Sequence, residues 1–249
     1  MKIIVCVKQV PDTMDVKFND DFTLQRDHIA QILNPADESA LELGLALRDE
    51  TCGTLSVLTM GPARVQKMLR EIISRGADKA YQLTDSAFAG ADTLATARTL
   101  KAAINKLGAY DLILCGRRAA DGETGQVGPM LASLMDIACV TNAVHVQVDG
   151  PQAQVAQLTE EGLQNWQCNL PSLITLCEWS YRLRLPSFAG LKQARDAEIT
   201  QLTHSDIGIE KSATGIKGSP TRVVGANARN LGIRECHMVD VSKLLEILP

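Results

Sequence analysis

Residues 112–129 read LILCGRRAADGETGQVGP, and this stretch decides the expected fold. It begins with a run of apolar residues, which is typical of a strand buried on both faces of a parallel sheet. The run ends in a loop of small residues, and the pattern from Gly125 to Asp136 predicts a helix. A strand, a loop and a helix in this order form the repeating unit of an open α/β sheet.

The same order recurs through the first half of the chain. Apolar runs predict further strands over residues 2–7, 54–60 and 79–83. Apolar residues at helical spacing predict helices that begin at or soon after residues 35, 62 and 92. Asn34 and Asp92 are expected to cap the first and third of these helices, and Pro35 suits a first helical position. Such alternation favours parallel pairing of the strands.

The second half of the chain has a different character. Turns at residues 150–151 and 160–162 separate runs that we predict as strands over residues 143–148, 152–157, 163–169 and 173–177. We interpret these runs as an antiparallel extension of the sheet. We therefore expect a doubly wound, mostly parallel α/β sheet with an antiparallel extension and an extended C-terminal arm.

The C-terminal arm is predicted from a loss of pattern. Apolar periodicity fades after Glu178, residues 212–220 are rich in glycine, serine and threonine, and a short helix is expected over residues 241–248. An arm without its own core usually needs another chain to pack on. We therefore expect an α/β domain at residues 1–190 and an arm at residues 191–249 that packs on another chain.

The composition excludes several classes of function. The chain has 249 residues and a net charge of −4, which disfavours binding to nucleic acid. No apolar run approaches the roughly 20 residues that span a bilayer, so we expect no membrane insertion. The first apolar run, residues 3–7, is too short for the core of a signal peptide, and we expect a cytoplasmic location.

Recognised catalytic and metal-binding patterns are absent from the sequence. The seven cysteines include no C-x-x-C pair, and the four histidines are scattered without metal-ligand spacing. No glycine-rich dinucleotide fingerprint, P-loop or nucleophile elbow is present. We therefore predict no metal site, no catalytic residue and no self-contained catalytic site.

The loop within residues 112–129 is the strongest candidate site. Gly122 and Gly125 would let a ligand approach the backbone, and the first amides of the following helix can hold a phosphate. Thr124 can cap that helix or bind a phosphate oxygen. Asp121 and Glu123 are expected to accept hydrogen bonds from a ribose, from backbone amides, or from the two arginines that precede them. A helix start without any ligand remains an alternative.

Several motifs together resemble the β subunit of electron-transfer flavoproteins, along essentially the whole chain. Their order and spacing are more specific than any one of them. They are VCVKQVPDT at residues 5–13, NP at 34–35, TMGP at 59–62, RGAD at 75–78, GADT at 90–93 and DGETGQVGP at 121–129.

The resemblance implies a heterodimer with an α subunit that carries FAD, and a second nucleotide in the β subunit. In simple members this nucleotide is AMP; in electron-bifurcating members it is FAD, which accepts a hydride from NADH. The form of the loop is similar to the bifurcating branch, so FAD is expected and AMP is the alternative. The residues that match the nucleotide contacts are Cys6, Asn34, Pro35, Ala36, Asp37, Met60, Ala119, Ala120, Asp121, Gly122, Glu123, Thr124, Gly125, Gln126, Val127, Gly128, Pro129 and Met130.

The resemblance also implies that residues 1–190 form a nucleotide-binding domain of the adenine-nucleotide-binding type, with a docking loop near residues 180–191 for a flavin-dependent dehydrogenase or oxidase. The arm at residues 191–249 would then pack on the partner subunit. Residues 184–191, RLPSFAGL, match the family's docking loop, with Phe188 as the anchor and Leu185, Pro186 and Leu191 beside it. A large exposed apolar side chain suits this role. The alternative is that Phe188 packs into the core of this chain.

Two further functions remain open from the sequence. The chain could be a stand-alone adenine-nucleotide-binding module of the stress-protein type, or a structural subunit that has lost its nucleotide. The coreless arm disfavours the first alternative, and the intact loop at residues 119–128 disfavours the second.

Overall fold

The computed structural model describes residues 1–12 and 30–224 of the chain. The described residues form eleven strands and six α-helices. The strands are β1 (Lys2–Cys6), β2 (Gln9–Pro11), β3 (Gln31–Leu33), β4 (Thr54–Met60), β5 (Lys79–Leu83), β6 (Leu112–Gly116), β7 (Ala138–Asp149), β8 (Gln152–Thr159), β9 (Gly162–Asn169), β10 (Ser172–Leu176) and β11 (Ile199–Leu202). The helices are α1 (Pro35–Thr51), α2 (Gln66–Ser74), α3 (Thr93–Leu107), α4 (Val127–Met135), α5 (Phe188–Asp196) and α6 (Gly215–Gly218).

Nine of the strands form one sheet in the order β11-β5-β4-β1-β6-β10-β7-β8-β9. Pairing is parallel from β11 to β7, and β8 and β9 continue the sheet as antiparallel strands. The remaining two strands, β2 and β3, form an antiparallel pair that joins residues 9–11 to residues 31–33. The predicted fold class, a mostly parallel α/β sheet with an antiparallel extension, is confirmed.

One predicted strand lies in a different place from the one expected. The run at residues 173–177 was assigned to the antiparallel extension, but β10 inserts between β6 and β7 and is parallel to both. All five of its residues, from Ser172 to Leu176, are buried. A short apolar run fits an interior strand of either direction, so its sequence does not specify its neighbours.

Two layers of helices bury the parallel strands. In β1 the side chains alternate, because Ile3 and Val5 pack on the face covered by α1 and α2 while Ile4 packs on the face covered by α3 and α4. Leu41 of α1 and Ile104 of α3 are both fully buried against these faces. This double burial explains why the strands appear as continuous apolar runs.

The predicted starts of α1 and α3 are correct in position, and only one of the two expected side-chain caps forms. Asp92 caps α3 as expected, with its Oδ1 accepting from the amide of Ala95 at 2.9 Å. Asn34 precedes α1, but its side chain does not cap that helix. The helix after β6 begins at Val127 rather than Gly125, and no side chain of the described residues, Thr124 included, caps it.

The first part of the predicted arm belongs to the main sheet. Helix α5 lies against α2, with the guanidinium of Arg70 donating to the carbonyls of Ala194 and Ala197, and β11 pairs with β5. The boundary expected at residue 190 therefore does not coincide with a structural boundary. The expected helix at residues 241–248 lies outside the described residues. Packing of the arm on a partner subunit stays a prediction.

Among the residues that the structure describes, no helix is both long and apolar enough to cross a bilayer.

Candidate functional site

The candidate site lies at the carboxyl edge of the parallel strands, where open α/β sheets bind ligands. The loop that connects β6 to α4, here called the glycine loop (residues 117–126), crosses this edge. Its amides at Gly122 and Glu123 both donate to the carbonyl of Ala119, and Gly125 has a φ of 64°. A Cβ placed on Gly122 would meet no atom of the described residues within 4 Å. The loop therefore exposes its backbone at Gly122.

Asn34 fastens the glycine loop to the start of α1. Its side-chain Nδ2 donates to the carbonyl of Arg118 at 2.9 Å, and its Oδ1 accepts from the amide of Ala120 at 3.0 Å. Asn34 is only 2% exposed. Because both ends of one amide group bond to the loop backbone, Asn34 fixes the loop rather than capping the helix.

Asp37 joins the ends of β1 and β6 beneath the loop. One carboxylate oxygen accepts from the amide of Lys8 at 2.7 Å, and the other accepts from the amide of Gly116 at 2.9 Å. Burial raises the pKa of the Asp37 carboxyl to about 7, although both amides oppose this rise. A Cβ on Gly116 would overlap the Asp37 carboxylate and the Cβ of Ala36. The glycine is therefore required for this close approach.

Cys6 ends β1 opposite Cys115 of β6. Both thiols are buried, and burial raises the pKa of Cys6 to about 12. A thiol with such a pKa is neutral at physiological pH and is a poor nucleophile. Cys6 can therefore form part of the wall of a site but is not suited to covalent chemistry.

The acidic residues of the glycine loop are partly neutralised by cations. Lys8 Nζ lies 2.6 Å from Asp121 Oδ1, and the side chain of Asp121 is 4% exposed. Arg118 lies 3.5 Å from the carboxylate of Glu123. The sequence predicted a ribose, backbone amides or the two arginines as partners of both acidic residues, and the structure adds Lys8 as a partner of Asp121.

Two arginines of the loop converge on one carboxylate outside it. Arg117 Nε donates to Glu178 Oε2 at 2.6 Å, and Arg118 Nε donates to Glu178 Oε1 at 3.1 Å. Burial raises the pKa of Glu178, but hydrogen bonds from its own backbone amide and from the two arginines bring the pKa below its usual value. A cavity of about 290 Å³ opens beside these groups, lined by Arg117, Arg118, Gly125, Pro129, Thr141, Asn142 and Thr175.

Helix α4 packs closely on the sheet next to this cavity. A Cβ on Gly128 would lie 2.5 Å from Cγ2 of Thr175 and 3.2 Å from the sulfur of Cys115. Glycine therefore lets the first turn of α4 approach the strand ends. The amide donors of that turn carry partial positive charge and are suited to an anion.

The four residues predicted for docking (Leu185, Pro186, Phe188 and Leu191) are here called the docking surface; three of them are exposed, and Pro186 is partly buried. Leu185 is 86% exposed and Phe188 is 90% exposed. Phe188 is the first residue of α5, whose start is capped by the hydroxyl of Ser187. The alternative in which Phe188 packs into the core is therefore wrong.

Comparison with known proteins identifies the family. A family model described as the electron transfer flavoprotein domain matches residues 21–207. The chain is 41% identical over 232 residues to the electron transfer flavoprotein subunit beta of Thermoanaerobacterium thermosaccharolyticum, which covers 92% of this chain and 89% of the relative. The chain belongs to the electron-transfer flavoprotein β-subunit family.

Two further relatives of this β-subunit family have other names. The caffeyl-CoA reductase–Etf complex subunit CarD of Acetobacterium woodii is 42% identical over 225 residues, covering 90% of this chain and 86% of the relative. Protein FixA of Azorhizobium caulinodans is 39% identical over 252 residues, covering 98% and 90%. The match along nearly the whole chain assigns it an electron-transfer role and disfavours the stand-alone stress-type module.

Within this β-subunit fold, the structure brings together most of the predicted nucleotide contacts. Asn34, Asp37 and Cys6 all adjoin the glycine loop or the strand ends beneath it. Asp37 engages both of its oxygens with backbone amides, so it supports the site. Met60 ends β4, on the other side of β1 from β6, and is half-buried. Contact of each of these residues with a ligand stays a prediction.

Several residues at the site were not singled out by sequence reasoning. Lys8 and Glu178 pair with residues more than 50 positions away, and Thr141, Asn142 and Thr175 reach the cavity from β7 and β10. Of these residues, only Lys8 could have been found from the sequence, because it directly follows the apolar run of β1. The others depend on the position of β10 beside β6, which local sequence does not reveal.

Proposed function

We propose that this chain is the β subunit of a heterodimeric electron-transfer flavoprotein that binds FAD in the cleft formed by the glycine loop and the strand ends. The observation that carries the proposal is the glycine loop itself, which Asn34 holds at two backbone positions while Gly122 faces open space. Because the backbone of this loop is both accessible and held in place, it is suited to a ligand that lies against it.

The charges around the cleft suit the phosphate part of a nucleotide. The N-terminus of α4 supplies backbone amides, and Arg117 and Arg118 line the adjoining cavity. The negative charge of Asp121 is compensated by Lys8 at 2.6 Å. An anion would therefore meet donors rather than an uncompensated carboxylate.

FAD is proposed over AMP because the loop form resembles the bifurcating branch. AMP is the second candidate, since both ligands share the adenylate group that the loop would hold. A bound flavin would supply the electron-accepting chemistry, with NADH as the candidate donor. The chain's own residues would bind and orient the flavin.

Partners are proposed from the same family membership. We expect an α subunit that carries FAD, and a flavin-dependent dehydrogenase or oxidase that contacts the docking surface. One relative is named as a subunit of a caffeyl-CoA reductase–Etf complex, and another as an acryloyl-CoA reductase electron transfer subunit. The exposure of Leu185 and Phe188 supports a docking role, because large apolar side chains are favoured anchors at interfaces.

Filling the cleft with a large side chain tests the nucleotide assignment. A Cβ on Gly125 would make only an ordinary 3.5 Å contact with the carbonyl of Arg117, so the indole in Gly125→Trp would extend into the cleft. Gly150→Trp is a matched control, because Gly150 also has a positive φ, of 55°, and lies in the β7–β8 turn.

Both variants should be co-expressed with the α subunit, and the nucleotides extracted by acid and quantified. We expect Gly125→Trp to lose the β-site nucleotide while Gly150→Trp retains it. Full retention in Gly125→Trp would show that the cleft is not the binding site.

A further inference from the structure

A single segment connects the glycine loop to the docking surface. This segment, here called the strap, comprises residues 178–187, between β10 and α5. Its first residue, Glu178, holds Arg117 and Arg118 of the glycine loop. Its last residue, Ser187, caps α5, which begins with Phe188. The strap therefore touches the nucleotide cleft at one end and carries the docking surface at the other.

A hydrogen bond and two ion pairs attach the rest of the strap to β7 and α1. The hydroxyl of Tyr181 accepts from the amide of Val146 at 2.8 Å. The guanidinium of Arg184 pairs with Glu42 at 2.9 Å and with Asp49 at 2.6 Å. These contacts hold the strap on the fold from Tyr181 onward, independently of the arginines in the loop.

Between Glu178 and Tyr181, the strap is exposed at Trp179. Trp179 follows Glu178 directly, adopts a left-handed backbone with a φ of 61°, and is 85% exposed. Such a backbone is unfavourable for a non-glycine residue and persists when neighbouring contacts enforce it. Glu178, which forms two charge-assisted hydrogen bonds one residue earlier, is a contact that can enforce it.

The same arginines face the cavity that adjoins Gly125. Each guanidinium is about one-third exposed, whereas the carboxylate of Glu178 is 13% exposed. A phosphate oxygen arriving in that cavity would compete with Glu178 for the same donors, because arginine binds carboxylate and phosphate with the same planar geometry. The arginines therefore have two alternative anionic partners.

We propose that Glu178 is a releasable latch: it holds Arg117 and Arg118 while the cleft is empty, and a phosphate group of the bound nucleotide displaces it and frees the start of the strap. This inference rests on the proposed nucleotide function. Occupancy of the cleft is then linked to the conformation of the segment that leads to the docking surface. By reciprocity, docking on that surface would change nucleotide affinity by the same factor.

The test uses the heterodimer, stripped of its nucleotide, with AMP as the probe. Tryptophan emission is measured during titration, and the signal of Trp179 is taken as the difference between the wild type and Trp179→Phe. The dissociation constant for AMP is measured for the wild type, for Glu178→Gln, and for Glu160→Gln. Glu160 is a matched control because it lies exposed in the β8–β9 turn.

We expect AMP to change the emission of Trp179, and Glu178→Gln to bind AMP about fivefold more tightly or better, a lower limit typical of coupled sites. The reason is that the phosphate no longer has to displace a carboxylate. Glu160→Gln should bind as the wild type does.

Other outcomes separate the two proposals. If AMP binds but the Trp179 emission is unchanged and Glu178→Gln binds no more tightly, the latch is wrong and the nucleotide site stands. Weaker binding in Glu178→Gln would mean that Glu178 positions the arginines for the ligand, which also overturns the latch. If neither AMP nor FAD binds the wild-type heterodimer at this site, the proposed function itself fails.

Discussion

The variant Asn34→Ala tests the attachment of the glycine loop most sharply. The substitution removes both hydrogen bonds that the side chain makes with the loop backbone, at 2.9 Å to the carbonyl of Arg118 and at 3.0 Å from the amide of Ala120. Each such bond contributes about 1 kcal/mol net, and a buried group left without a partner costs about 1–3 kcal/mol. We therefore expect the free energy of local loop opening to fall by about 2 kcal/mol or more.

Hydrogen exchange measures this opening directly at the amide of Ala120. Because about 1.4 kcal/mol corresponds to a tenfold change in an equilibrium constant, exchange at this amide should become about 30-fold faster. The heterodimer should also release its β-site nucleotide more readily. Asn105→Ala is the matched control, because Asn105 is exposed near the C-terminal end of α3.

One pattern of hydrogen exchange would contradict the role of Asn34 in holding the loop. If exchange at Ala120 stays within about threefold of the wild type in Asn34→Ala, while the protein remains folded, Asn34 does not hold the loop. A uniform increase in exchange over the whole chain would instead indicate global destabilisation.

Three further predictions concern packing, pH and docking. Gly128→Ala should destabilise the protein by about 1–3 kcal/mol, measured by calorimetry, because the new Cβ would lie 2.5 Å from Thr175 Cγ2; unchanged stability would contradict the close packing of α4. Burial raises the pKa of Asp37 from 3.8 to about 7, so the folded form keeps this proton to higher pH than the unfolded chain. Its contribution to stability should therefore fall by about 4 kcal/mol between about pH 4 and pH 7, a slope that Asp37→Asn should remove from pH-dependent unfolding curves. Phe188→Ser should leave the melting temperature nearly unchanged, since Phe188 is 90% exposed, and should weaken dehydrogenase docking by about 30-fold in a titration; equal docking would remove Phe188 as an anchor.

The parallel part of the sheet could be predicted because its strands carry their own signal. Strands such as β6 are buried on both faces, and the resulting apolar runs stand out between polar helix starts. The order of the strands carries no such signal. Strand β10 lies between β6 and β7 because of packing across the whole fold, and its five residues would fit an antiparallel edge equally well.

Some residues of the candidate site could likewise be predicted from the sequence, and others could not. The glycine loop was found because its small residues and the following helix are adjacent in sequence. The residues that contact this loop were not found from the sequence. Lys8 and Asp121, for example, are 113 positions apart and meet only when β1 and β6 pair. Asn34 was recognised as a polar residue before a helix, but a cap and a cross-link to a distant loop require the same residue type.

The exposed anchor illustrates a further limit of the sequence. Phe188 opens a helix whose apolar pattern is weak, and its sequence context fits either burial or exposure. Only the contacts of α5 with α2, including the carbonyls bound by Arg70, show which side of the helix faces away from the protein.

The central claim is that this β subunit holds an adenine nucleotide of its own. The direct measurement is the number and identity of nucleotides released by acid from the purified heterodimer of this chain with its α subunit. The account predicts two FAD per heterodimer, or one FAD and one AMP if the second candidate is correct. A heterodimer that contains a single FAD and no AMP would contradict it.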